Sequence, residues 1–197
     1  MTRTIRLRFT GIAVVATIVL AACGSGDGDG GGGKSDSSAP VDGGDLTIAR
    51  QADILSLDKT TTFDNSSIYV MEQIMEPLFM VSQDGTKVEP WLAKSYTMSD
   101  DKLTYTIKLR DDVKFSNGDP MTAKDVKFSI DEDTKTGADG WGFINSAIDT
   151  IEATDDTTVT IKLKYAWAPL LADLSLFSNG IIPENYGGKT SEEFYKA

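Results

Sequence analysis

Carboxylates are the reactive side chains that this sequence places in clusters. Asp111-Asp112, Asp131-Glu132-Asp133 and Asp155-Asp156 offer the paired carboxyl groups that acid–base hydrolysis uses. The 197 residues contain no histidine and a single cysteine, which excludes for them a Ser-His-Asp or Cys-His enzyme and a zinc site built from histidine or paired cysteines. All three clusters lie in or beside turn and helix-end signals, where acidic residues cap and solvate the chain. We therefore predict no catalytic residue and no cofactor, with a carboxylate-based hydrolase as the enzymatic alternative.

The single cysteine, Cys23, ends an N-terminal targeting signal. Three arginines give the chain a basic start, and an apolar stretch follows at 9–22, interrupted only by threonine and glycine. This order is typical of a secretory signal peptide (1–22), and the apolar stretch is shorter than the roughly 20 residues that cross a bilayer. Leu20-Ala21-Ala22-Cys23 resembles the bacterial lipobox, which implies cleavage before Cys23 and its lipidation. The alternative is an ordinary signal peptide with a chance cysteine.

The charge of the chain limits its partners. The formal net charge is −11, and removal of the three signal arginines would take it to −14. Such a surface argues against nucleic acid, which is bound through lysine and arginine. It also argues against electrostatic attraction to anionic lipid, so a membrane anchor would depend on acyl chains at Cys23.

Residues 23–44 are predicted to be a linker. They are mostly glycine, aspartate and serine, which bury no apolar area, and the composition predicts a disordered tether that reaches roughly 25 Å. Asp27 and Asp29 alternate with glycine but lack the glutamate and the spacing of an EF-hand, so we predict no metal site there. The folded part is expected to begin at Asp45.

Beyond the linker, the periodicity predicts a mixed α and β domain. Leu103, Tyr105, Ile107 and Leu109 alternate with polar residues, as in a sheet with one buried face. Strands are predicted at 46–50, 78–82, 95–98, 103–109, 148–153, 159–164 and 181–182. A helix is predicted from an Asn65-Ser66-Ser67 cap to about 76, with an apolar stripe of Ile68, Met71, Ile74 and Met75. Further helices are predicted from a cap at Thr122, at 168–176 and from Ser191. A helix that begins seven residues before the end suggests a fragment of a longer protein.

One long stretch resembles a family of transport proteins. Leu92 to Tyr96, Leu103 to Pro120 and Thr122 to Val126 follow the signature of the extracytoplasmic solute-binding proteins of family 5. These are the oligopeptide-, dipeptide- and nickel-binding lipoproteins of ABC importers. Leu57-Asp58 also resembles an early family motif, here with Lys59 in place of proline. The hairpin, the Asn-Gly turn and the capped helix would suit any α+β domain, so the motif by itself says nothing about the ligand.

The resemblance implies a fold of the α+β or α/β class, similar to type II periplasmic binding proteins. Such proteins have two lobes that close over a cleft and an extra β-rich domain beside the first lobe. Carried onto this chain, 45–64 would start the first lobe, 65–175 would form the extra domain, and 176–197 would return to the first lobe. Because family members are much longer, the second lobe would be missing, and we expect a truncated sequence.

The resemblance also implies a function. The chain would be a lipid-anchored, monomeric protein on the extracytoplasmic face of the cell membrane. It would capture a peptide or similar small solute and deliver it to ABC permease and ATPase subunits. Peptide, nickel chelate and sugar stay open as ligands, and a non-transport receptor or adhesin on the same fold is the alternative.

Two segments match family regions near the cleft, namely Thr62-Phe63-Asp64-Asn65 and the loop with Trp141 and Phe143. We expect backbone groups of the first segment to bind an extended peptide as an added strand would. Asp64 would pair with a peptide ammonium, and Trp141 would cover an apolar side chain. The alternative is that Asp64 belongs to a helix cap and that Trp141 packs against the hairpin.

Overall fold

The computed structural model describes residues 47–196. The predicted signal peptide, Cys23 and the linker lie outside the described residues, so nothing in the structure tests them. Residues from Thr47 onward belong to one compact unit. In this part of the chain, no helix is both long enough and apolar enough to cross a membrane.

A four-stranded antiparallel sheet is the main β element. Its strands are β3 (Ala93–Met98), β4 (Thr104–Leu109), β5 (Ile148–Asp155) and β6 (Thr158–Leu163), in the order β3-β4-β6-β5. Two short strands, β1 (Phe79–Val81) and β2 (Val88–Pro90), pair separately. The predicted hairpins are confirmed, because Tyr105, Ile107 and Leu109 face inward as their alternation indicates.

In the described part of the chain, four α-helices accompany the sheets: α1 (Asn65–Ile74), α2 (Ala123–Lys135), α3 (Leu170–Asp173) and α4 (Ser191–Phe194). Helix α2 begins as predicted, since the Asp125 carboxylate accepts hydrogen bonds from the backbone N–H and the hydroxyl of Thr122 (2.7 and 2.8 Å). Val126 and Ile130 of α2 are fully buried in the core with the inward residues of β4 and β6. Helix α2 therefore closes one face of the sheet.

Helix α1 differs from its prediction in its cap and in its buried face. The N-cap is Asp64 and not the Asn65-Ser66-Ser67 segment, and the helix ends at Ile74. Of the predicted apolar stripe only Met71 is fully buried, while Ile74 is 58% exposed. The reason is that few described elements pack on α1; its main contact is a short 3-10 turn at Phe177–Asn179.

Other predicted elements are shorter or absent. Residues 47–50 are exposed and form no strand, because no described segment pairs with them. Ile181 and Ile182 also form no strand: their N–H groups donate to the Glu76 carbonyl and to the Ser129 hydroxyl, so no ladder develops. Helix α3 covers only part of 168–176, since the chain turns into 3-10 geometry after it.

Candidate functional site

The structure brings the two predicted binding segments into contact. The backbone N–H of Trp141 donates to the Thr60 carbonyl at 2.9 Å. The indole Nε1–H of the same residue donates to the Thr62 carbonyl at 2.7 Å. Trp141 is therefore fixed at both its backbone and its ring against the segment that precedes α1.

Glycines on either side of Trp141 permit this contact. A Cβ atom at Gly140 would lie 2.3 Å from the Thr60 carbonyl oxygen, and a Cβ atom at Gly142 would lie 2.4 Å from the Asp133 carbonyl oxygen. Both distances are shorter than any real side chain tolerates. The predicted loop at 137–142 is in fact two 3-10 turns, Gly137–Asp139 and Trp141–Asn145, pressed against 60–62 and the end of α2.

Three aromatic rings form a stack that we call the aromatic surface, made of Phe63, Trp141 and Phe143. The Phe63 and Trp141 rings are 4.9 Å apart and inclined by 25°, and Trp141 and Phe143 are 5.9 Å apart and inclined by 29°. Phe177 supports the stack from the buried side, edge-on to Trp141 at 5.1 Å. Phe63 and Phe143 are 55% and 52% exposed. The stack can therefore accept a flat or apolar group from solvent.

The remaining residues of the first segment have structural partners. The Asp64 carboxylate caps α1 by accepting the Ser67 N–H at 2.9 Å, and hydrogen bonds from the Ser67 side chain and backbone hold the pKa of Asp64 below its ordinary value. Thr62 is buried, and its N–H donates to the Asp58 carbonyl. Asn65 is exposed as the first residue of α1. Phe63 differs from these neighbours because its exposed ring belongs to the aromatic surface.

A buried polar cluster lies next to the aromatic surface, and sequence reasoning missed it. The Asn145 amide donates to the Asp133 carboxylate and to the Asn179 side chain, each at 2.9 Å. Burial raises the pKa of Asp133 to about 7, and its Oδ1 atom has no hydrogen-bond partner in the described part of the chain. A signal was available, because Asp133 follows Val126 and Ile130 at helical spacing on the inward face of α2.

Lys59 belongs to the same buried region. Its ammonium donates to the carbonyls of Ser129 (3.1 Å) and Ser178 (2.5 Å), and the side chain is fully buried. Burial lowers the pKa of Lys59 to about 8, although nearby carboxylates oppose the shift. The replacement of a family proline marked position 59 in the sequence, but no periodicity there indicates that this lysine is buried.

Apart from Asp133, which is buried and bonded to Asn145, the acidic residues named next have partners close by in the sequence. Asp112 pairs with Arg110 at 2.9 Å, Asp131 pairs with Lys127 at 2.5 Å, and Asp155 accepts the Thr157 N–H at 2.8 Å. Within residues 47–196, no group of three or more carboxylate, histidine or cysteine side chains could hold a metal ion. The observed roles are those expected of turns and helix surfaces.

A cavity of about 630 Å³ lies elsewhere, between the end of α1 and the segments 113–121 and 181–195. Its lining is mainly apolar, with Lys114 and Lys189 also present. None of the predicted site residues lines it. The aromatic surface and this cavity are therefore separate features.

Comparison with known proteins identifies the class. The family described as bacterial extracellular solute-binding proteins, family 5 Middle, matches residues 87–196. The chain is 37% identical over 113 residues to the nickel-binding periplasmic protein of Escherichia coli, covering 56% of this chain and 21% of that protein. It is 32% identical over 163 residues to the dipeptide-binding protein of Lactococcus lactis, covering 74% and 27%. The chain belongs to the family 5 solute-binding proteins.

Solved structures of solute-binding proteins also match the fold of this chain. NikA from Brucella suis in complex with Fe(III)-EDTA superimposes with a TM-score of 0.64 and 32% identity over 71% of this chain and 28% of that chain. Listeria monocytogenes OppA bound to peptide gives a TM-score of 0.64 and 28% identity over 71% and 31%. The predicted family and the type II periplasmic-binding fold are confirmed, and the chain spans less than a third of the proteins compared here.

Proposed function

We propose that this chain belongs to a substrate-binding lipoprotein that captures peptides or similar small solutes for an ABC importer. Its relatives are solute-binding transport proteins and not enzymes. The observation that carries the proposal is the exposed aromatic surface, which joins the two segments assigned to the cleft.

The surface suits an extended peptide. A Phe63-Trp141-Phe143 stack would cover an apolar or aromatic side chain at little entropic cost to its central ring, because Trp141 is already held by Thr60, Thr62 and Phe177. The backbone of Phe63 would supply the strand-like hydrogen bonds. The Asp64 carboxylate already accepts the Ser67 N–H as a helix cap. We therefore expect its negative charge to attract a peptide ammonium at a distance and not to form a close ion pair with it.

The proposed architecture follows the family. Residues 45–64 and 176–197 would belong to the first lobe and 65–175 to the extra domain, and a second lobe would close over the aromatic surface. Closure would select the loaded state for docking to the permease and its ATPases. We expect a monomer.

The proposed anchor is a lipid on Cys23, with 1–22 removed and 23–44 as the tether. The support is the order of basic residues, apolar stretch and Leu20-Ala21-Ala22-Cys23. The test is the intact mass of the native protein extracted from membranes with detergent. A mass without acyl chains would remove the anchor.

Peptide capture is tested by ligand-dependent thermal unfolding of the full-length protein, with its second lobe, in the presence of mixtures of short peptides. A ligand at 100 times its Kd stabilises the folded state by about 2.7 kcal/mol, which a melting experiment resolves. We expect this stabilisation to disappear in Trp141→Ala and to persist in the matched control Trp167→Ala, another partly exposed tryptophan. Equal stabilisation of both variants would place the peptide site elsewhere, and flat melts for the unaltered chain would contradict peptide capture.

A further inference from the structure

Lys59 is the one fully buried lysine that the structure describes, and it connects three segments. Its Nζ atom donates to the Ser129 carbonyl of α2 and to the Ser178 carbonyl of the turn at Phe177–Asn179. None of the ion pairs among residues 47–196 includes it. A buried ammonium raises the free energy of the folded state unless its N–H groups find acceptors. The two carbonyls therefore fix the position of Lys59, and Lys59 in turn fixes theirs.

Chain neighbours of Lys59 and of Ser178 contact Trp141. Thr60, the next residue after Lys59, supplies the carbonyl that accepts the Trp141 N–H. Phe177, the residue before Ser178, packs edge-on against the Trp141 ring. The side chain of Lys59 therefore links the turns that supply two of the three groups holding Trp141, namely the Thr60 carbonyl and the Phe177 ring.

We propose that Lys59 is a positioning residue of the aromatic surface. When Lys59 loses its positive charge, Trp141 is no longer held against the Thr60 carbonyl and the Phe177 ring. A neutral amine donates more weakly to the Ser129 and Ser178 carbonyls than an ammonium does. The turn at 58–62 is then no longer firmly linked to the turn at 177–179 through the Lys59–Ser178 hydrogen bond. The inference rests on the proposed function for its consequence, namely that a solute binds well only while Lys59 is protonated.

Several groups face Lys59 and set its titration. Asp58 lies on its own turn, Glu132 and Asp133 lie on α2, and the three carboxylates favour the ammonium against the opposing effect of burial. Tyr195, after α4, interacts with the same carboxylates. The result is a lysine that loses its proton near pH 8 and an Asp133 that loses its proton near pH 7.

The sequence makes this titration observable. With no histidine in the chain, the other groups expected to titrate between about pH 7 and 9 are the Cys23 thiol and the terminal amine, both outside residues 47–196. A change at Trp141 in that range would therefore report on Lys59 or on Asp133. The variant Asp133→Asn separates the two.

The experiment uses the full chain with Trp91→Phe and Trp167→Phe, which leaves Trp141 as its fluorophore. Acrylamide quenching and emission are measured from about pH 6.5 to 9.5, a range that spans the proton loss of Lys59. We expect quenching to rise with a midpoint near pH 8. In Asp133→Asn the transition should persist at a lower pH, because the variant lacks a carboxylate that favours the Lys59 ammonium, whereas a transition due to Asp133 itself would disappear. Far-UV circular dichroism at each pH shows that the fold persists.

Two variants at position 59 sharpen the test. Lys59→Arg keeps its charge throughout, so quenching should stay low and flat. Lys59→Met has the length of the stem without the charge, so quenching should be high and flat. Unchanged quenching in the Lys59 protein, or a transition that persists in Lys59→Met, would overturn the inference. If Lys59→Met does not fold, the Lys59 and Lys59→Arg profiles decide by themselves.

Peptide-induced thermal shifts of the same samples distinguish this inference from the proposed function. A pH-dependent release of Trp141 without any peptide effect keeps the role of Lys59 and contradicts peptide capture. Peptide stabilisation that is constant across the range, with constant quenching, keeps peptide capture and contradicts the role of Lys59.

Discussion

Replacing Gly140 by alanine tests whether the close approach of two turns builds the aromatic surface. The added Cβ would lie 2.3 Å from the Thr60 carbonyl oxygen and 2.6 Å from the Thr136 hydroxyl oxygen. The hydroxyl can rotate away, but the carbonyl belongs to backbone that also accepts the Trp141 N–H. The two turns must therefore separate.

The expected cost follows from these contacts. Forcing an extra methyl group into a packed region costs about 1–3 kcal/mol. Each of the two Trp141 hydrogen bonds, to Thr60 and to Thr62, contributes about 0.5–1.5 kcal/mol. The free energy of unfolding should fall by about 2–6 kcal/mol. For a unit of this size, a loss of about 3 kcal/mol lowers Tm by roughly 6–12 °C.

Urea and thermal unfolding, followed by circular dichroism, measure this loss. Trp141 fluorescence, recorded with Trp91→Phe and Trp167→Phe in the same chain, localises it. The matched control is Gly85→Ala, because Gly85 has a φ of +70° and no atom within 4 Å of an added Cβ. In this control the free energy of unfolding should fall by roughly 1–2 kcal/mol, because alanine is strained in the left-handed backbone conformation. The emission of Trp141 should not change. If Gly140→Ala is no more destabilising than this control and leaves Trp141 emission unchanged, the close approach does not hold the surface together.

Three further changes probe the site. Trp141→Phe removes the indole bond to the Thr62 carbonyl and part of the ring, and urea unfolding should show a loss of about 1–2 kcal/mol; an unaltered midpoint would mean that this bond contributes nothing. Because burial raises the folded-state pKa of Asp133 to about 7, its contribution to stability is complete below its unfolded pKa and is lost as pH rises through 7. Asp133→Asn should therefore gain stability relative to the unaltered chain as pH rises from about 4 to above 7, and a constant difference in urea midpoints would contradict this assignment. Asp64→Ala should lower Tm because α1 loses its cap, whereas Asp64→Asn should retain it, and equal melting of both variants would show that the cap is dispensable.

Much of the fold could be predicted from patterns among residues that are close in the sequence. The alternation at 103–109 and the Thr122–Asp125 cap are properties of neighbouring residues, and both elements form where they were predicted. The ordered motif from Leu92 to Val126 was sufficient for the family. The strands expected at 46–50 and 181–182 were wrong, because a strand needs a partner and local alternation does not provide one.

The sequence by itself also contained the two segments of the candidate site, but it did not show what joins them. Trp141 and Thr62 are 79 positions apart, and the acceptors of Lys59 lie 70 and 119 positions away from it. Periodicity describes which face of an element is apolar, whereas contacts between distant turns depend on how the elements pack. Only the packed chain therefore reveals that glycine allows the two turns to meet, and that a lysine which looks solvent-exposed in the sequence is buried beside Trp141.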